Sequence, residues 1–202
     1  MLRGAQHKVR RLGKLPNTCQ WHSPGETLND GESASVGPWD GNQQFIVVAI
    51  SRKTGKILWQ TTVRDTRPHG STHESGTWAS PSPVTDGRHI YAFFGSNGLY
   101  CLDFDGKLIW EKDFGKMIVK HGHGEGASPA IHGDILIVNW DHEGDSFVVA
   151  LDKRTGEERW RRDREEVTSW STPLILTVAG RPQVIIAATG ASRGYDLETG
   201  KV

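Results

Sequence analysis

The sequence predicts an all-β protein, a partial β-propeller of about 3 to 4 four-stranded antiparallel blades. Two recurrent marks and one absence predict it. A glycine-centred turn returns at Gly55, Gly106, Gly156 and Gly200, in steps of 51, 50 and 44 residues, and Trp59, Trp110 and Trp160 each follow their glycine by four positions. A second anchor lies in the stretches SPSPVTDGRHIYAFFG, ASPAIHGDILIVNW and STPLILTVAGRPQVIIAATG, where Pro83, Pro129 and Pro173 are 46 and 44 residues apart. Between the marks run short β-rich apolar segments broken by turn residues, with no helical pattern.

Taken in order, residues 1–44 open with the basic stretch MLRGAQHKVRRLGKLP and continue through QWHSPGETLNDGESASVGPWDGNQQ. They lack the clear pair of inner strands that should precede FIVVAI, and read as a divergent blade, a linker or foreign sequence. The repeats then occupy 45–202: a partial blade at 45–66, blades at 67–115 and 116–164, and an incomplete blade at 165–202. Within 126–163 the segments ASPAIHG, DILIVNW, FVVALD and EERWRRD read as four successive strands, the last an outer, charged one. Gly133 and Gly156 punctuate the first and third connections, and DHEGD fills the second. So small a sheet cannot bury both faces alone; radial packing against like sheets does. The strand count reads as a fragment of a longer propeller, whose open sheet edges invite self-association.

The turn spelled LDKRTGEERW has a physical reason to recur. Asp152 can accept hydrogen bonds from the turn backbone, Thr155 more weakly, and Gly156 takes positive φ without a Cβ penalty. Trp160, on the outer strand beyond, is expected to cover the seam against the next blade. Asp196 and Gly200 restate the turn, whereas Ser51 replaces its Asp in the first copy and Asp103 to Gly106 is one residue shorter, so that hairpin must close differently.

Composition narrows the function classes. Lys plus Arg is 24 and Asp plus Glu is 24, a formal charge of zero that argues against a nucleic-acid partner. The longest apolar run, Phe45 to Ile50, is far below the roughly 20 residues of a transmembrane helix. Cys19 and Cys101 offer neither a disulfide framework nor a zinc quartet, and no apolar core follows the basic N-terminus to make a recognisable signal peptide.

The pattern A-x-D-x-x-T-G-x-x-x-W, carried by Ala150, Asp152, Thr155, Gly156 and Trp160, resembles the tryptophan-docking motif of pyrroloquinoline quinone (PQQ) repeat propellers. That family includes quinoprotein alcohol dehydrogenases and the outer-membrane assembly factor BamB, and residues 45–202 are similar to uncharacterised PQQ-like proteins of planctomycete type. The resemblance implies a propeller and a periplasmic or envelope location. For the enzymes of the family it also implies PQQ, calcium and an adjacent cysteine pair stacked on the quinone. This sequence has no adjacent cysteines.

Propeller topology places outer-to-inner and second-to-third strand connections on one face. That face is expected to carry His69, His73, His121, His123, Asp141, His142 and Glu143, with Glu125 in the same loops. His89 and His132 should lie at the opposite turns as surface residues, and the run Arg161 to Glu166 should coat an outer strand and the loop after it. The reading is a non-catalytic binding or scaffold module for a protein or saccharide. One alternative is a quinoprotein oxidoreductase with PQQ and calcium; another is a metal site built from His69, His73, His121, His123 and His142, since imidazole suits borderline metals.

Overall fold

The structure is a computed structural model that describes residues 41–73 and 75–202. Most of the segment read from sequence as irregular, through position 40, lies outside the described residues. Among the described residues thirteen strands form four antiparallel sheets in chain order, the blades of a partial propeller. The first sheet pairs β1 (Gln43–Ile50) with β2 (Ile57–Thr66). The second is a meander of β3 (Val84–Thr85), β4 (His89–Phe93), β5 (Leu99–Asp103) and β6 (Leu108–Lys112). The third repeats that order with β7 (Ala130–His132), β8 (Ile135–Trp140), β9 (Ser146–Asp152) and β10 (Glu158–Arg164). The fourth holds β11 (Leu174–Val178), β12 (Arg181–Ile186) and β13 (Arg193–Asp196).

The middle strands are buried on both sides, which is why they read as unbroken apolar runs instead of alternating ones. Along β8, Leu136 and Val138 pack with Tyr91, Phe93, Leu99 and Cys101 of the second sheet. Ile135 and Ile137 face the other way, joining Val184, Ile186 and Tyr195 of the fourth. The same division runs along β5, where Tyr100 and Leu102 turn toward Phe45 and Val47 of the first sheet. Successive side chains of one strand thus fill successive seams.

A bridge across each seam locks the sheets together. The indole Nε1 of Trp59 donates to the Phe104 carbonyl at 2.7 Å, that of Trp110 to Lys153 at 3.1 Å, and that of Trp160 to Leu197 at 2.9 Å. Each acceptor belongs to the turn of the next sheet. Each ring lies on the glycine of that turn: a Cβ there would come within 2.7 Å of the Trp59 ring at Gly106, 2.8 Å of Trp110 at Gly156 and 2.6 Å of Trp160 at Gly200. The glycine is required twice, for its left-handed φ of 74° at Gly156 and for the absence of a side chain under the ring. Asp152 Oδ1 accepts from the Arg154 N–H at 2.9 Å to fix the turn. Ser51 Oγ does the same for Thr54 at 3.2 Å, and in the shortened copy Asp103 Oδ1 holds the amides of Asp105 and Lys107, each at 2.9 Å.

A second ladder ties the sheets ahead of their first strands. The Ser82 N–H donates to Ser128 Oγ at 2.8 Å, and the Ser128 N–H to Thr172 Oγ1 at 3.1 Å. These are the residues that precede the periodic prolines. Near the hairpin turns, Lys153 Nζ lies 3.0 Å from Asp86 Oδ2 and joins the second and third sheets. Burial pushes the Asp86 carboxyl up, but donation from the His89 and Arg88 amides and the Lys153 ammonium outweighs it and holds the group well below the ordinary range. His89, expected at the surface, is only partly exposed: its amide donates to Asp86 at 2.8 Å and its ring lies beside Tyr91, centroids 6.3 Å apart.

Two substitutions isolate the indole bridge. Trp160→Ala should cost about 3 to 5 kcal/mol in denaturant melts, the usual range for a buried tryptophan, and a loss under about 1 kcal/mol would contradict a seam role. Gly55→Ala, where a new Cβ meets nothing within 4 Å, should cost only the roughly 1 to 2 kcal/mol of a left-handed φ. Gly156→Ala should cost measurably more, since its Cβ must displace Trp110.

Candidate functional site

The connection between β6 and β7 is the centre of the loop face, and its neighbours hold it from both sides. From the second sheet, Ser96 Oγ accepts the Met117 N–H at 2.8 Å and donates to Glu125 Oε1 at 2.5 Å, while the Ser96 N–H donates to the other carboxylate oxygen. From the β2–β3 connection, the His73 N–H donates to the His123 carbonyl at 3.2 Å and Ser71 Oγ to the Gly122 carbonyl at 3.0 Å. From the other side, Trp170 Nε1 donates to the Gly124 carbonyl at 2.8 Å, and the Lys120 N–H to Thr168 Oγ1 at 2.9 Å. Between the two connections lies a cleft of about 250 Å³, bordered by Trp78, Met117, Ile118, Val119 and Glu125.

Burial pushes the Glu125 carboxyl above its ordinary range, and the Ser96 hydrogen bonds only partly offset it. His121, exposed at the tip of this loop, sits at a left-handed φ of 56°, an uncommon conformation for a residue with a Cβ.

The seven residues predicted for this face divide into two groups of three and a separate histidine. Asp141, His142 and Glu143 serve as structure. Asp141 is buried and accepts from Arg164 through both oxygens, at 2.7 and 3.1 Å, and from Ser169 Oγ at 2.8 Å. His142 Nδ1 accepts the amides of Ile118 and Gly144, both at 3.1 Å, so its proton belongs on Nε2, which donates to the Asp145 carbonyl at 3.2 Å. Glu143 takes the Thr168 hydroxyl at 2.8 Å and its amide at 3.2 Å; that donation holds its carboxyl low, with Lys120 and His121 adding to the effect.

His73, His121 and His123 gather instead into a cluster, edge-on or tilted to one another. Ring centroids are 5.3 Å apart for His73 and His123 and 5.5 Å for His121 and His123, and His123 stacks on Trp170 at 6.4 Å. His69 stands apart, its Nε2 at 3.1 Å from the Met117 carbonyl. Among the described residues no three His, Cys, Asp or Glu side chains are placed to hold a metal ion, so the geometry does not support the five-histidine alternative.

The charged run departs from expectation. Arg161, Arg162, Asp163 and Glu165 are exposed, but Arg164 and Glu166 are buried. Strand alternation turns Arg164 inward to Asp141, where its Nη1 also donates to Tyr195 Oη. Glu166 turns in to receive the Gly190 amide at 2.8 Å, the Ala191 amide at 3.1 Å and the Arg193 guanidinium. Sequence reasoning missed both, and missed Ser96 as the partner of Glu125. The signal available was a charge of each sign at alternating positions, Arg164 at the end of β10 and Glu166 just beyond it, with Asp163 and Glu165 exposed between and beside them.

The residues described do not fit a calcium-bound quinone. Cys101 is fully buried among apolar side chains, its thiol pushed up to about 12 by burial, and it has no cysteine beside it in sequence. Glu125, the carboxylate that lines the cleft, is committed to Ser96, and Asp141 is committed to Arg164.

A family model described as outer membrane protein assembly factor BamB matches residues 43–202. Among solved structures, BamB from Moraxella catarrhalis is similar with a TM-score of 0.54 and 16% identity, over 80% of this chain and 48% of that one. A europium-containing methanol dehydrogenase is similar with a TM-score of 0.54 and 14% identity, over 80% of this chain and 39% of that one. The likeness to these structures is one of fold, and the chain spans about half the length of that BamB and less of the dehydrogenase. No curated protein matches the sequence.

Two measurements test the internal assignments. Arg164→Ala leaves Asp141 buried without its counter-ion and should cost about 3 to 5 kcal/mol, whereas Arg161→Ala at the surface should cost under about 1 kcal/mol. Glu125 has a raised folded-state pKa, so its contribution is fully present below the unfolded value and is lost as pH rises. As pH falls from 7 to about 4, wild type should therefore gain stability relative to Glu125→Gln, before depressed groups such as Asp86 begin to lose theirs. A pH-independent difference between wild type and variant would contradict the assignment.

Proposed function

The chain belongs to the PQQ-like repeat β-propeller family defined by BamB, and from that membership we propose that it acts by binding, as a non-catalytic scaffold that holds a protein partner on its loop face. The observation that carries this reading is the commitment of the face's buried acids and of His142 to internal hydrogen bonds. Asp141 is neutralised by Arg164, Glu166 by Arg193 and two amides, and both nitrogens of His142 are engaged. A general acid or base must reach a reacting atom, and these cannot leave their partners without unpairing a buried charge.

What remains outward is a binding surface: an apolar cleft, the exposed side chains of Ile118 and Trp170, and the histidine cluster. Aromatic and aliphatic side chains set among polar loops make up the centres of protein interfaces. The assembly role stated for BamB supports a protein partner over a saccharide, and with it a place in the cell envelope.

Photo-crosslinking tests the reading. Benzoylphenylalanine at Ile118, on the loop face, should give a discrete protein adduct in the native cell, and the same group at exposed Leu58 on β2 should not. Equal labelling at the two positions, or none at Ile118, would contradict a partner on this face.

A further inference from the structure

The cleft on the loop face has a chemistry of its own. Three of its polar side chains are already engaged: His69 with the Met117 carbonyl, Ser71 with the Gly122 carbonyl and Glu125 with Ser96. A saccharide is recognised by several convergent donors and acceptors, and here those three are spent on the protein itself. At about 250 Å³ the space lies below the roughly 300 to 1,000 Å³ of most small-molecule and cofactor sites. It matches one large apolar side chain, presented to Met117, Val119 and Ile118, the last of which is 61% exposed.

The rim supplies a sign. Lys116 and Lys120 flank the apolar residues in sequence, both exposed, and neither makes an ion pair among the described residues. His121 is exposed beside them. The acids in reach offset this charge only in part: Glu143 is exposed beside Lys120 and His121, and Lys116 makes no ion pair among the described residues. Glu125 is turned inward onto Ser96, and Glu143 is held by the two donors of Thr168, with Lys120 and His121 lying near enough to stabilise its charge.

We infer that this cleft is the docking point for an acidic, extended protein segment, which places one large apolar side chain against Met117 and Val119 while its carboxylates meet Lys116 and Lys120. The inference rests on the binding-module reading and names the chemistry of the partner. Apolar burial gives the segment its anchor, and the ammonium groups select its sign and speed its encounter.

Fluorescence anisotropy with the intact protein tests it, using short labelled peptides. The probes are an Asp/Glu-rich peptide with a central Phe, the same Phe among Lys and Arg, and the acidic peptide with Ser for Phe; a cello-oligosaccharide is tested as competitor. The acidic Phe peptide should bind, the other two should bind at least about tenfold more weakly, and added salt should weaken the complex. Lys116→Glu with Lys120→Glu, and separately Ile118→Asp, should each reduce its affinity about tenfold or more with the thermal melt unchanged. Equal binding of the basic peptide, equal binding of the Ser peptide, full affinity in the double variant, or no binding by any probe would each overturn the inference. If the oligosaccharide displaces the probe, or if Ile118 cross-links to a protein while the acidic probe fails, the docking chemistry is wrong and the binding module stands. If neither a probe nor a cross-link is found, both fall.

Discussion

The indole that leaves one sheet and closes on the turn of the next is the interaction on which the rest of this structure depends. A sheet of two to four strands has two apolar faces and no means of covering either alone. Burial between sheets is non-directional and would tolerate slippage. The hydrogen bond from Trp59, Trp110 or Trp160 to a specific carbonyl, with the ring seated on a glycine, converts that burial into a fixed register between neighbours. Because the same bond recurs at each seam, the connections on the opposite side are brought into register too. The Ser82–Ser128–Thr172 ladder fixes the other ends of the seams.

This part of the molecule was legible in the sequence because it is periodic. The glycine, the turn acceptor and the tryptophan do in one blade what they do in the next, so comparison of the chain with itself exposed them. The replacement of Asp by Ser51 and the shortened turn at Asp103 were legible as departures, and the structure gives each an equivalent side-chain acceptor. The loop face was legible only in part. The shared face of His73, His121 and His123 follows from topology, since the loops that carry them lie on one side. The burial of Asp141 does not, because its cause is Arg164 on another strand and the pair occurs once. Asn139, which donates to Asp141 at 3.2 Å, stands opposite Val148 where the preceding sheet sets Phe93 opposite Leu99. The third sheet therefore carries a polar network where the second carries an apolar contact, and a reading anchored on repeats passes over what does not repeat.

That non-repeating chemistry decides the functional reading. Asp141 with Arg164 and Glu166 with Arg193 are two charge pairs, Arg164 donating also to Tyr195, and they brace the third sheet against the fourth. Buried and paired, such groups specify geometry and are poor reagents. The outward groups are of another kind: a small cleft, exposed aliphatic and aromatic side chains, and the exposed Lys116 and Lys120, which make no ion pair among the described residues. Membership in the BamB-type family and a fold shared with dehydrogenase structures leave both binding and redox chemistry within reach of the scaffold. The site favours binding, since a fold hosts many activities and the residues of the site choose among them.

The central claim is that this propeller binds a partner and does not carry a quinone. Calorimetric titration of PQQ into the protein, with and without calcium, tests it most directly. The account predicts no saturable heat in either condition; saturable, calcium-dependent binding would contradict it and make the chain part of a quinoprotein oxidoreductase.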